Sequence, residues 1–154
     1  LFQTNVKRIL AYSSIAHLGY LLVAFLAGCA AGGEMATEAT VFYIVAYIIT
    51  SLASFGVVSV MSDGERDADS LEDYRGLFWR KPWLAAVMTV SLLSLAGIPL
   101  TAGFVAKFSV LASGMEAGIY PLLFLLVAGS AIGIYYYLRI VLAMMWQPET
   151  APMP

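Results

Sequence analysis

Hydrophobic residues in this chain come in four long runs separated by short polar breaks, a pattern that predicts four membrane-crossing helices. The first run, Ile9 to Gly33, contains no Asp, Glu, Lys or Arg, and the second, Ala39 to Ser62, is equally free of charge. A third run, Pro82 to Met115, holds one charge, Lys107, and a fourth, Ala117 to Gln147, carries Arg139 near its end. A helix needs about 20 apolar residues to cross the hydrocarbon layer, so each run is long enough. None alternates with period two, and an open sheet would leave backbone amides unpaired in lipid. The expected fold class is all-α, a multi-pass transmembrane helix bundle. It has four spans in one domain covering residues 1–154, the third span broken around Pro99.

Composition removes the alternatives. The chain is 61% hydrophobic and 12% charged, with a mean hydropathy of +0.85. Soluble domains carry roughly 25% charged residues, so too little polar surface remains to coat a water-soluble globule. A net charge of -2 offers no basic field for nucleic acid. Cys29 is the single cysteine, which excludes an intrachain disulfide or a CxxC metal site and leaves a small packing residue near a helix end. The chain begins Leu1-Phe2 without a signal-peptide pattern and ends Ala151-Pro152-Met153-Pro154, so it reads as a fragment cut at both ends.

The longest polar break, Asp63 to Lys81, reads DGERDADSLEDYRGLFWRK. Its first part is acidic. Its second part is expected along the membrane surface with Leu71, Tyr74, Phe78 and Trp79 dipping inward, either as a docking surface or as a solvated loop with an aromatic anchor. Four crossings put Lys7, Arg8, Arg66, Arg75, Arg80, Lys81 and Arg139 on one side, and the opposite breaks carry only Glu34, Glu38 and Glu116. The basic side is predicted to be cytoplasmic. Trp79, Trp83 and Trp146 fall at that same interface.

Against this background Lys107 stands out, because a charge in mid-membrane costs about 2.5–3.5 kcal/mol on insertion scales. It lies roughly 12 Å in from the polar residues near Glu116 at 1.5 Å per residue. Snorkelling towards the headgroups is one reading. The other starts from Gly97, Pro99 and Gly103 just upstream: the proline removes a backbone donor and the glycines ease irregular dihedrals. Backbone groups freed by such a break need a hydrated interior, unless the segment is a plain proline kink. Broken helices beside ionisable residues build midplane ion sites, and a lysine there can pass between ammonium and amine as nearby charge moves.

His17 also falls near mid-membrane, and its neutral ring both donates and accepts, as a relay requires. It serves either in a relay supported by the hydroxyls of Tyr12, Ser13 and Ser14 or in helix packing. Lys7 is a third candidate for a proton path, although topology alone accounts for its place at the interface. Tyr135, Tyr136, Tyr137 and Arg139 are expected in an interfacial belt, and Gly129 to Gly133 suits close helix packing. There is no P-loop, dinucleotide fingerprint, haem or iron–sulfur ligand set.

Two stretches carry a resemblance. Asn5-Val6-Lys7-Arg8-Ile9-Leu10-Ala11-Tyr12-Ser13-Ser14-Ile15-Ala16-His17-Leu18-Gly19-Tyr20 and Leu95-Ala96-Gly97-Ile98-Pro99-Leu100-Thr101-Ala102-Gly103-Phe104-Val105-Ala106-Lys107-Phe108 resemble the antiporter-like membrane subunits of bacterial NADH:quinone oxidoreductase, respiratory complex I. The linker Tyr74 to Pro82 looks most like the subunit N branch, as does a lysine at 107 where the M branch looks to have glutamate. The resemblance covers essentially the whole chain, as the C-terminal third of such a subunit without its last helix.

It implies that Lys107 is a proton-channel residue, and that NADH, FMN, iron–sulfur clusters and quinone belong to partner subunits, with no cofactor on this chain. The other complex I membrane subunits, the lipid bilayer and protons are the implied partners, in a bacterial inner membrane. A cation/proton antiporter subunit of the Mrp kind and a purely structural membrane subunit are the alternative readings.

Overall fold

A computed structural model of the chain describes residues 3–31, 33–62 and 65–147. The proline-rich end at 151–154 lies outside them. Every regular element described is helical, and three helices are long and apolar enough to cross a membrane: α1 (Val6–Ala31), α2 (Glu34–Met61) and α6 (Tyr120–Met145). The chain is thus an all-α membrane helix bundle. Helix α2 begins at Glu34, earlier than the uncharged run suggests, because a carboxylate is favourable in a first turn where backbone N–H groups point outward.

The third run is divided. Helix α4 (Pro82–Ala96) opens with proline, whose missing N–H is harmless at a helix start. It stops at Gly97, whose φ of 76° is left-handed and natural only for glycine, and the N–H groups of Gly97 and Ile98 turn back to the carbonyls of Ser94 and Leu93. Leu100 also has a positive φ, 79°. Helix α5 (Ala102–Ala117) restarts at Thr101, whose hydroxyl accepts from the Phe104 N–H.

Where the two short helices sit follows from the two buried clusters. One buried cluster joins Val6, Ile9 and Leu10 of α1 and Val57 and Val58 of α2 to Met88, Leu92 and Leu95 of α4 and Ile140 and Met144 of α6. The other joins Tyr20 and Ala24 of α1, Tyr43 of α2, Ala106 and Val110 of α5 and Leu123 and Leu126 of α6. Helices α1, α2 and α6 therefore run through both halves, whereas α4 occupies one and α5 the other. The break lies between them.

The outer faces stay apolar: Leu18, Leu22, Phe25, Ile49, Leu52, Phe124 and Leu125 are all exposed. Lipid is as apolar as these side chains, so the helices are held by close packing and interhelical hydrogen bonds rather than by hydrophobic burial.

The polar segment folds as a strap over one end of the bundle. The Val6 N–H donates to the Asp69 carbonyl and the Leu71 N–H to that of Thr4. A 3₁₀ turn at Leu71–Tyr74 is capped reciprocally by Ser70 and Asp73, and the one-turn helix α3 (Leu77–Arg80) follows. Tyr74 and Leu77 are fully buried, whereas Phe78 and Trp79 are exposed, so only part of the expected aromatic anchor turns inward. Burial, with Asp73 and Asp69 nearby, holds the Tyr74 phenol above its ordinary range, and it donates to the Ala68 carbonyl at 3.0 Å.

Candidate functional site

Lys107 lies on the second turn of α5 and is 8% exposed. Its amine turns into the bundle and donates to the Leu95 carbonyl at 3.1 Å. The sequence explains that acceptor. In a continuous helix the Leu95 carbonyl would take the N–H of residue 99, and residue 99 is proline. The orphaned oxygen is then filled by a charged donor from the next helix.

The two glycines make the approach possible. A Cβ at Gly97 would stand 3.0 Å from the Lys107 Cδ, and one at Gly103 would run into the backbone carbonyl of Ser94. The Gly103 N–H donates to the Ser94 hydroxyl at 3.1 Å, so α5 starts directly against the last turn of α4. Gly97, Pro99 and Gly103 form one device: chain reversal, liberated acceptor and close contact.

His17 is 3% exposed and faces the same region from α1. Its Nδ1 bonds the Tyr43 hydroxyl at 2.5 Å and its Nε2 the Tyr137 hydroxyl at 3.0 Å. The ring stacks on Tyr47 at 4.9 Å and meets the edge of Tyr20 at 5.4 Å. Tyr137 also hydrogen-bonds Ser13, and Ser14 accepts from the Tyr47 hydroxyl at 2.7 Å.

Between histidine and lysine lies a small cavity lined by His17, Tyr43, Tyr47, Thr50, Ser94 and Lys107. Its volume open to the centre of a water molecule is ≈ 10 Å³, about enough for one water with several polar partners. Lys107 also lines an outer groove between α5 and α6 with Gly97, Phe104, Leu126 and Ser130. It is the one residue common to both spaces.

Ser13, Ser14, His17 and Lys107 are thus brought together. Tyr12 is not: it is 60% exposed and lies on the far side of α1 with Gln3, Ile9, Ile132 and Tyr136. At about 100° per residue, position 13 is within about 40° of position 17, but position 12 is about 140° away. Lys7 sits apart as well, half-buried at the start of α1 between Asp67 at 3.3 Å and Asp69 at 3.1 Å.

Four tyrosines were missed as site residues, Tyr20, Tyr43, Tyr47 and Tyr137. Tyr137 is not in an interfacial belt, since it is 1% exposed and bonds His17 and Ser13. Depth along α6 does not separate it from Tyr135, which lies two residues farther from the helix end and is exposed; only the rotation of α6 against its neighbours does. For Tyr43 and Tyr47 the signal is their spacing of four residues within an uncharged span, one helix face carrying two hydroxyls.

Residues 1–133 match the transmembrane family described as NADH:quinone oxidoreductase/Mrp antiporter. The chain is similar to NADH-quinone oxidoreductase subunit N of Methylococcus capsulatus, 59% identical over 144 residues, which is 94% of this chain and 29% of that protein. It is also similar to a chain of respiratory complex I from Thermus thermophilus solved with bound aureothin. That likeness has a TM-score of 0.76 at 36% identity, covering 99% of this chain and 34% of the other. The chain therefore spans less than two thirds of the length of either relative.

Proposed function

This chain belongs to the NADH:quinone oxidoreductase/Mrp antiporter transmembrane family, and we propose that it is part of a complex I subunit N carrying protons through the membrane arm along a path centred on Lys107. The observation that carries this reading is the buried amine at the helix break, facing His17 across a water-sized cavity. A lysine with no carboxylate beside it gains and loses its proton as charge moves nearby. Lys7, between Asp67 and Asp69, stands at the rim, and Ser13 and Tyr137 extend the hydrogen-bonded set from His17, with Ser14 and Tyr47 beside it.

On this reading the redox chemistry takes place elsewhere. NADH, FMN, iron–sulfur clusters and quinone sit in partner subunits, and this chain converts their conformational or electrostatic change into proton movement. It lies in a bacterial inner membrane with residues 65–81 on the cytoplasmic side. Identity of 59% over nearly the whole chain to a subunit N supports the respiratory assignment over an Mrp-type antiporter.

The test uses the full-length subunit in the assembled complex. Lys107→Ala and Lys107→Met are expected to lower NADH-driven proton pumping in membrane vesicles by at least about tenfold, since a positioned proton carrier contributes on the order of 10²–10⁴ in rate. Assembly is expected to persist. Unchanged pumping in both variants overturns the reading, and sodium-dependent pH changes without NADH oxidation redirect it to the antiporter class.

A further inference from the structure

Among the described residues, no acid stands at the seat of the Lys107 charge. Helices α1, α4 and α6 carry no Asp or Glu, and the acidic residues of α2 and α5 are Glu34, Glu38 and Glu116, all at helix ends. What faces the amine is His17 and Tyr20 from α1, Tyr43 and Tyr47 from α2, the Leu95 carbonyl from α4 and Ser130 from α6. One carbonyl is a weak answer to a full positive charge in a buried site. The second answer is a ring: the Lys107 Nζ stands 5.0 Å from the centroid of Tyr20. An ammonium over an aromatic face is attracted by the ring quadrupole, and the attraction grows when water is excluded.

The geometry points to Tyr20 as the positioning residue of Lys107: its ring face, together with the Leu95 carbonyl, replaces a counter-ion and aims the amine at the boundary between inner cavity and outer groove. The inference rests on the proposed proton-carrying role of Lys107. Tyr20 is held by the edge of His17 at 5.4 Å and by Tyr43 at 6.5 Å, so the ring belongs to the same buried set. On its other side Gly129 of α6 leaves room for the hydroxyl, since a Cβ there would stand 3.0 Å from the Tyr20 oxygen. The small-residue stretch of α6 acquires a use at this position. It leaves space for the phenol oxygen while the ring faces Lys107.

Face and hydroxyl are separable by substitution. In the full-length subunit within the assembled complex, Tyr20→Phe keeps the face and is expected to pump at close to the unsubstituted rate. Tyr20→Leu removes the face and is expected to lower pumping about tenfold to thirtyfold, the range that loss of a desolvated cation–π contact implies. Gly129→Ala pushes on the phenol oxygen without touching Lys107, and a smaller decrease is expected, relieved when Tyr20→Phe is added to it.

Full pumping by Tyr20→Leu while Lys107→Met still abolishes it overturns the assignment of Tyr20 and leaves the Lys107 reading intact. Equal losses in Tyr20→Phe and Tyr20→Leu also overturn it, because the hydroxyl and not the face is then needed. Full pumping by Lys107→Met sinks the underlying reading instead. Should Tyr20→Leu fail to assemble, the Gly129→Ala pair decides: a defect rescued by Tyr20→Phe supports the seat, and no defect or no rescue overturns it.

Discussion

Lys7 and Lys107 meet the same problem in opposite surroundings. Lys7 opens α1 at the edge of the bundle, with a side chain 38% exposed and two aspartates of the strap within 3.3 Å. Lys107 is buried mid-chain at a fractured helix and holds a carbonyl and a ring. At the rim, water and carboxylates stabilise an ammonium whatever the helix does, and pairs of that exposure contribute little. In the interior the backbone itself had to change. The difference teaches that an irregular helix in lipid is a sign of a polar client, here the amine that occupies the acceptor left by Pro99.

The sharpest way to break the comparison is to remove each amine in turn. Lys107→Met is expected to stop most pumping, whereas Lys7→Met is expected to leave the larger part of it, both measured as NADH-driven acidification of vesicles. Equal losses would mean that the exposed lysine is as central as the buried one. Next in size is the close contact at the break. Gly103→Ala places a methyl against the Ser94 backbone and is expected to destabilise the α4–α5 junction by about 1–3 kcal/mol, seen as a lower melting temperature of the complex. Gly56→Ala on α2, with open space around it, is the matched control and is expected to change nothing.

Pro99→Ala is expected to act more gently. It returns a backbone N–H to the turn after Gly97 and lets the chain wind further, so that a backbone donor competes with Lys107 for the Leu95 carbonyl and pumping is expected to fall about twofold to fivefold with assembly retained. A hydrogen bond to a charged group is worth about 1.5–3 kcal/mol, and competition forfeits only part of that. Smallest of all, Asp67→Asn with Asp69→Asn is expected to lower the melting temperature of the complex only slightly, because exposed ion pairs add little. The difference should shrink further in high salt, because exposed pairs are screened.

Much of this molecule is legible in one dimension. Uncharged runs of helical length announce a membrane bundle, and Gly97, Pro99 and Gly103 mark the break. A lysine two turns past the proline also has to find an acceptor, because lipid supplies none. These conclusions need only chain length, backbone donors and the solvation of charge, which are local properties.

The partners of that charge were decided by the tertiary structure alone. On a soluble helix an apolar stripe tells which face is buried, but here lipid-facing and core-facing positions are both apolar, and the pattern does not report rotation. Tyr12 and Ser13 are neighbours in sequence, yet one is exposed and the other bonds Tyr137. Tyr20, Tyr43, Tyr47 and Tyr137 converge on His17 and Lys107 because α1, α2, α5 and α6 are turned as they are, and that turning is set by packing between helices rather than by any residue's preference for water.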